Sequence, residues 1–309
     1  MRKYLLAAAL LTGCSNAPSD ADRLPEIELE DAPQNGMQLV LPIVRDIPPG
    51  KDLELCTWTD KYLDKDVDVE SISSAQAGPG HHIVIYTTTV MQPPGTSRPC
   101  TDQDMTTFHY VVGAGGEGTG LVNKPPAGLS FYMPKGSQLV INEHFLNASP
   151  KVRDGQSAFN LYYADPNKTY IRSSGLTFID TGLVVPPGAS SLDINCTMKE
   201  DFAAWRFIPH MHEWGKHIII EHEQGGQTKR LFDTDWNAGM VFHPPELRAT
   251  VESPHWFRKG DKIHVRCEWN NDTGKPLPFG KEMCVGSADI VDFEKRGNFF
   301  CENNEFSPY

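Results

Sequence analysis

Residues 205–212 read WRFIPHMH, an apolar run that ends in two histidines one residue apart. Side chains alternate between the two faces of a β-strand, so an extended run would direct His210 and His212 to the same side, with Ile208 and Arg206 behind them. Such a pair can hold a metal ion, and imidazole suits copper, zinc, iron and nickel alike. An isolated pair is equally well explained by two hydrogen-bonded histidines. Features elsewhere in the sequence are needed to choose between a metal site and a hydrogen-bonded pair.

The sequence around this run has the pattern of β-structure almost throughout. β-Branched and aromatic residues form short segments, which clusters of Pro, Gly, Asn and Asp separate. We find no amphipathic segment long enough for a helix of three turns. The predicted strands are residues 81–90, 137–146, 159–164, 191–197, 205–212, 216–223 and 262–269. This pattern predicts an all-β fold of packed antiparallel sheets, as in sandwiches and jelly rolls.

The length of the chain, 309 residues, exceeds what one ordinary hydrophobic core requires. Pro-Pro-Gly precedes a predicted strand twice, at residues 48–50 and 186–188, and a histidine pair follows each copy. This faint repeat predicts two tandem antiparallel β-sandwich (jelly-roll) domains, residues 35–180 and 181–309. Coincidence is the alternative, because Pro-Pro-Gly is a common turn composition.

The N-terminus has the pattern of an export signal. A basic start, an apolar stretch and Leu-Thr-Gly precede Cys14, and the stretch is too short to span a bilayer permanently. A cysteine after Leu-Thr-Gly resembles the lipobox of bacterial lipoproteins. It predicts a signal peptide over residues 1–14, lipidation of Cys14 and a flexible tether over residues 15–34. We therefore expect an exported protein, lipid-anchored to a bacterial membrane on its periplasmic or cell-surface side; an ordinary signal peptide that happens to contain a cysteine is the alternative.

The charge and the cysteines narrow the class of protein further. A net charge of −12 without a basic run argues against nucleic acid or anionic lipid as the main partner. If Cys14 is lipidated, six of the seven cysteines remain for other roles. An even number of cysteines in an exported protein predicts three disulfides. Spacing alone permits fifteen pairings of six cysteines.

Three histidines in the first half also stand at strand positions. His81 and His82 follow Gly-Pro-Gly at residues 78–80, and His144 lies within a predicted strand. Adjacent residues of a regular strand point to opposite faces, so His81 and His82 can share one ion only at a strand start or a bulge. The preceding Gly-Pro-Gly favours such a distortion.

Four motifs in order resemble the copper type II, ascorbate-dependent monooxygenases, the family of peptidylglycine alpha-hydroxylating monooxygenase and dopamine beta-monooxygenase. The motifs are Gly80-His81-His82, His144, His210-Met211-His212 followed by Gly215, and PFGKEMC at residues 278–284. The likeness runs from roughly Pro33 to Phe306 and so covers both halves of the chain.

The resemblance implies two separate copper sites, with ascorbate or an equivalent reductant as the electron donor. An electron-transfer site would be formed by His81, His82 and His144. A catalytic, oxygen-activating site across a solvent-filled cleft would be formed by His210, His212 and Met283. A thioether is a soft ligand that favours Cu(I), which gives a physical reason for the methionine. The disulfides implied are Cys56–Cys100, Cys196–Cys301 and Cys267–Cys284.

The implied activity is hydroxylation of a C–H bond by O₂, and the departures from the family concern the substrate. Where the peptide-amidating members have a substrate-binding arginine and tyrosine, this chain has Ile208 and Ser287, and where they have glutamine before the third histidine it has Asn142. Arg206, two residues before Ile208, is a possible substitute for the arginine. The copper ligands are kept and the pocket is not, so we expect a small organic substrate and do not expect peptide amidation.

Two further functions stay open at this point. One is a non-catalytic periplasmic copper-binding or copper-delivery lipoprotein, and the other is a β-domain binding or glycan-processing protein whose histidines are structural. The remaining histidines match no ligand position of the family, and we expect them to lie outside the metal sites. They are His109, His217, His222, His243, His255 and His264.

Overall fold

The computed structural model describes residue 27 and residues 30–115, 118–241 and 244–308. The predicted signal peptide, Cys14, most of the predicted tether and His243 lie outside these residues. Within them, helix is confined to α1 (Asp102–Thr107), which Thr101 caps, and one 3-10 turn, Ala238–Val241. The prediction of an all-β fold is confirmed.

The first half of the described chain contains eleven strands, most of them antiparallel to their neighbours. They are β1 (Gly36–Val40), β2 (Val44–Ile47), β3 (Asp52–Tyr62), β4 (Val67–Ala77), β5 (Gly80–Thr88), β6 (Ser97–Pro99), β7 (His109–Gly115), β8 (Gly118–Asn123), β9 (Leu129–Met133), β10 (Gln138–Leu146) and β11 (Arg153–Tyr163). One sheet has the order β6-β3-β10-β5-β7, and the other has β1-β11-β4-β9 with β2 and β8 attached. Ile85 and Ile141 of the first sheet pack with Ile72 and Phe159 of the second in one buried cluster. These two sheets therefore form a sandwich.

The second half repeats this arrangement with thirteen strands. They are β12 (Ile171–Ile179), β13 (Val184–Val185), β14 (Gly188–Thr197), β15 (Phe202–His210), β16 (Gly215–Gln224), β17 (Gln227–Asp235), β18 (Leu247–Arg248), β19 (His255–Phe257), β20 (Lys262–Asn271), β21 (Leu277–Pro278), β22 (Val285–Asp292), β23 (Phe299–Glu302) and β24 (Glu305–Pro308). One sheet has the order β14-β20-β16-β17, and it packs on β12-β22-β15-β18 and their short partners. Ile220 and Val265 of the former meet Phe207 and Ile290 of the latter in the core.

The two sandwiches share one continuous sheet. Strand β12 pairs in parallel with β9, Ile171 lying opposite Leu129, so the pairing runs without a break from the first half into the second. Strand β12 precedes the predicted boundary at residue 180, yet it pairs along its length with β22 and contributes Phe178 to the second core. By strand pairing, the chain crosses between the sandwiches in the segment that joins β11 to β12.

Three disulfides are present, and the pairing implied by the family resemblance is confirmed. They are Cys56–Cys100, Cys196–Cys301 and Cys267–Cys284. The second joins β14 to β23, and the third joins β20 to the residue that immediately precedes β22. No helix in the described ranges is long and apolar enough to cross a membrane.

Candidate metal centre

The first candidate site is a group of three histidines at a β-bulge. His144 of β10 lies opposite His82 of β5, and the next residue of β10, Phe145, lies opposite Gly80, so His81 is the extra residue of the bulge. The predicted distortion is confirmed, and it turns His81 toward the face that His82 occupies. One ligand atom from each of the three imidazoles lies within 4.8 Å of the other two.

The three rings are packed as a donor set for one ion. The ring centroids of His81 and His82 lie 4.3 and 4.7 Å from that of His144, and Nδ1 of His81 lies 2.9 Å from Nδ1 of His144. An all-imidazole set of this kind fits copper, zinc or nickel and does not suit calcium or magnesium, which prefer oxygen ligands. The residues present thus fit the copper ion that the family resemblance implies.

Burial keeps these rings in the form that binds a metal. Burial, assisted by repulsion from His144, lowers the pKa of His81 to about 3 and that of His82 well below its usual range. Both rings are neutral at neutral pH, and a metal ligand must be an unprotonated imidazole. Neither ring is therefore an imidazolium that must lose its positive charge before it binds an ion at neutral pH.

A buried glutamine supports the group from below. Gln76 Nε2 donates to the carbonyls of His82, at 3.2 Å, and His144, at 3.4 Å. The bulge leaves no room for a side chain beside it, because a Cβ on Gly80 would lie 2.3 Å from Cβ of Gln76. Sequence reasoning missed Gln76, since partners six and 68 residues away leave no local pattern.

The second candidate site lies where β15 ends. The strand stops at His210, so the prediction of an extended run to His212 was wrong by two residues. The chain turns because the amides of His212 and Trp214 both donate to the carboxylate of Glu282, at 2.6 and 3.1 Å. The two imidazoles still come together, with ring centroids 5.0 Å apart and an interplanar angle of 83°.

Glu282 also fixes the segment that carries the predicted sulfur ligand. It is fully buried, and the same oxygen that accepts from His212 accepts from the amide of Met283 at 2.9 Å. The next residue forms the Cys267–Cys284 disulfide, and Val285 pairs with His210 across β22 and β15. The backbone segments of His210, His212 and Met283 are therefore neighbours. Glu282 lies inside a quoted motif, but sequence reasoning did not assign it a role.

The two histidine groups lie close enough for charges on their rings to interact. Burial lowers the pKa of His210 to about 3, and repulsion from His212 and from His81 of the first group adds to it. A salt bridge between Asp52 and Lys281, at 3.0 Å, joins the two halves beside these groups. Hydrogen bonds from His144 and Lys281 hold the pKa of Asp52 well below its usual range.

Alternate residues of β15 share one face of the second sandwich with His210. Ile208 and Arg206 share this face with His210, and they pair with Ser287 and Asp289 of β22 respectively. The guanidinium of Arg206 is already bound, because its Nε donates to Asp289 at 2.5 Å. This ion pair and burial oppose the use of Arg206 as a free carboxylate-binding residue.

The remaining described histidines have partners of other kinds. His217 bonds Asp235 and Asp233, His264 bonds Asp193 and Glu221, and His109 bonds the carbonyl of Tyr132; His222 is bonded to Asp261 and His255. Among the described residues, only the group of His81 brings three His, Cys, Asp or Glu side chains within ligand distance of one another.

Comparisons with known proteins give no functional match. No family model matches the chain, and no curated protein matches it. Among solved structures, the major capsid protein P2 of bacteriophage PM2 is similar at a TM-score of 0.37 and 8% identity, over 84% of this chain and 100% of that one. A triple jelly-roll protein of an archaeal virus is similar at 0.24 and 7%, over 84% and 60% of the chains. Infectious bursal disease virus Gx strain gives 0.19 and 8%, over 88% and 76%. Similarity this low carries no inference about function.

Proposed function

We propose that the protein is a copper-dependent monooxygenase that hydroxylates a C–H bond of a small organic substrate with O₂ and two electrons from ascorbate or an equivalent reductant. The observation that carries the proposal is the group of His81, His82 and His144, three imidazoles gathered by a bulge within 4.8 Å. Three imidazoles in the first half, with a histidine pair and a methionine segment in the second half, are the ligand groups that the family resemblance implies.

Two copper ions would be held by separate ligand sets. The first set is His81, His82 and His144, and the second is His210, His212 and Met283. Bound copper would supply one-electron redox chemistry and the activation of O₂, with the soft thioether favouring Cu(I) at the second set.

The protein's own residues prepare the sites for this chemistry. His81, His82 and His210 are neutral at neutral pH because burial lowers their pKa. Glu282 holds the turn of His212 and the segment of Met283 in one arrangement, as hydrogen bonds around metal ligands commonly do. Ile208 and Ser287 would form part of the substrate wall beside His210 and present no charged group for a peptide carboxylate.

The remaining assignments belong to the same proposal. The partners would be the small-molecule substrate and O₂, without nucleic acid, and membrane contact would run only through a lipid on Cys14. The protein would act outside the cytoplasm of a bacterium, on the periplasmic or cell-surface side. Export into an oxidising compartment agrees with three disulfides in one chain.

The test begins with the metal and ends with turnover. Copper-loaded protein should hold two ions, and His144→Ala should lose one of them, whereas His264→Ala, a histidine bonded to carboxylates elsewhere, should lose none. With ascorbate and candidate substrates, O₂ uptake should match product formation, and Met283→Ile should abolish turnover while the first copper stays bound. If O₂ is consumed but only peroxide forms, whichever substrate is present, the result would favour a copper carrier. If the protein holds no copper after dialysis, both functions would be refuted.

A further inference from the structure

A chain of three hydrogen bonds joins the two histidine groups through one carboxylate. Asp52 Oδ1 accepts from His144 Nε2 at 2.5 Å, and Asp52 Oδ2 accepts from the ammonium of Lys281 at 3.0 Å. The carbonyl of Lys281 accepts from His212 Nδ1 at 3.2 Å. Asp52 thus contacts one group directly and the other through a single residue.

The direction of these bonds decides which ring nitrogens stay available. A carboxylate and a carbonyl only accept, so neutral His144 carries its proton on Nε2 and neutral His212 carries its proton on Nδ1. The lone pair of His144 is then on Nδ1, the atom that lies 2.9 Å from Nδ1 of His81 inside the first group. The lone pair of His212 is on Nε2. The two histidines would therefore offer opposite nitrogens to a metal.

The fold places Asp52 for this role. It lies at the first residue of β3, opposite Leu146 of β10, and His144 lies opposite Glu54 on the same strand pair. Asp52 and His144 are consequently diagonal neighbours on one face of the sheet, a separation that side chains can bridge. The partner on the other side, Lys281, precedes Glu282 in the segment that supports the second group.

We propose that Asp52 is a positioning residue shared by both candidate metal sites. It fixes His144 as a ligand through Nδ1 and, by holding Lys281, fixes the loop whose carbonyl sets His212 as a ligand through Nε2. The inference rests on the proposed function, because it takes these histidines as metal ligands. A carboxylate that orients a histidine ligand is a common arrangement around protein metal sites.

The first experiment needs no metal. Two-dimensional ¹H–¹⁵N NMR of the metal-free protein, with long-range correlations in the imidazole rings, distinguishes the two neutral forms of each histidine. We expect His144 protonated on Nε2 and His212 on Nδ1. Asp52→Ala should leave His144 as a mixture of both forms, and Asp52→Asn should restore part of the preference, since an amide oxygen still accepts. Asp193→Ala is the matched control, because it removes an equally exposed partner of His264 far from these groups.

The second experiment measures copper. Competition of Cu(I) with a chromophoric chelator should show Asp52→Ala weakening the first site by about 10- to 100-fold, with two ions still bound at saturation. Lys281→Gln should weaken the second site and change the first by less. Wild-type affinity and wild-type ring protonation in Asp52→Ala would overturn the positioning role alone. Failure of the wild-type chain to bind copper would refute the proposed function, while the NMR result would still decide the role of Asp52.

Discussion

Gly80 is the residue on which the geometry of the three-histidine group depends most directly. Any Cβ at this position would lie 2.3 Å from Cβ of Gln76, and neither atom can rotate away because both are fixed to the backbone. Gly80→Ala should therefore push β5 from β4, cost about 1–3 kcal/mol of unfolding free energy, and weaken copper binding at the first group. Urea denaturation and copper titration measure the two effects.

The matched control for this substitution is another strand glycine, Gly113. A Cβ there would meet its nearest neighbour at 3.5 Å, an ordinary contact. Gly113→Ala should change neither quantity measurably. Equal behaviour of the two variants would show that the bulge does not need glycine.

Glu282 is the second residue whose role can be tested alone. Its fully buried carboxylate accepts from the amides of His212, Trp214 and Met283, and an amide side chain can replace only part of these bonds. Glu282→Gln should cost about 1.5–3 kcal/mol of stability, as expected for hydrogen bonds to a charged group. It should also weaken copper binding at the second site more than at the first. Glu213→Gln, on an exposed neighbour in the same turn, should do neither.

At the scale of single elements, the sequence was informative where the pattern is local. Short segments rich in β-branched and aromatic residues located β5, β10, β16 and β20, and Gly-Pro-Gly correctly indicated a distortion at His81, which is a bulge. The end of β15 was misplaced because its cause is a hydrogen bond from His212 to a residue 70 positions away. Long-range partners such as Asp52 and Gln76 were invisible for the same reason. The disulfide pairing came from the family resemblance, since spacing left it open.

The two disulfides of the second sandwich should separate stability from metal binding. Cys196–Cys301 closes 105 residues and Cys267–Cys284 closes 17, so loop entropy assigns them about 4.8 and about 3 kcal/mol. Replacing the first pair by alanine should therefore lower the midpoint of urea unfolding more. Replacing the second pair should weaken copper binding at the second site more, because Cys284 adjoins Met283. The same rank order in both measurements would contradict a specific role for Cys267–Cys284 in the site.

At the scale of the whole molecule, the continuous sheet helps to explain why the two histidine groups lie near each other. Pairing of β9 with β12 fixes the halves edge to edge, and Asp52 and Lys281 join them beside the groups. Sequence reasoning assigned each group to its own half, but a single parallel strand pair leaves no signature that reveals how two halves are placed. Protonated rings this close would repel one another, so the arrangement favours neutral imidazoles.

This preference for neutral rings predicts how the stability of the metal-free protein depends on pH. Burial, with repulsion from neighbouring rings, lowers the pKa of His81 and His210 to about 3, and burial with repulsion from His222 and Lys229 lowers that of His255 to about 4. Above pH 6.5, the ordinary histidine value, these rings are neutral in both folded and unfolded chains. Below it the unfolded chain binds protons that the folded chain cannot, so stability should fall from about pH 6.5 downward toward the folded pKa values. Urea denaturation between pH 6.5 and 5 measures this loss before ordinary carboxyl groups titrate. Burial raises the pKa of Glu143 to about 7, so this one carboxyl gains stability as the pH falls and offsets part of the loss from the three rings.

Two histidine variants outside the candidate sites give opposite signatures. His255→Asn should flatten the loss below pH 6.5, because it removes one ring with a lowered pKa. His217 differs: burial opposes protonation, but its hydrogen bonds to Asp235 and Asp233 raise its pKa overall, so it stabilises the fold at low pH and loses this effect as pH rises through the raised value. His217→Asn should therefore lower the stability below pH 6.5 by a constant amount and remove the gain that wild type shows as the pH falls from above the raised pKa to 6.5, without changing the slope of stability against pH on the acid side. If the stability does not change between pH 6.5 and 5, or rises there, the buried rings must bind protons about as readily as the rings of the unfolded chain.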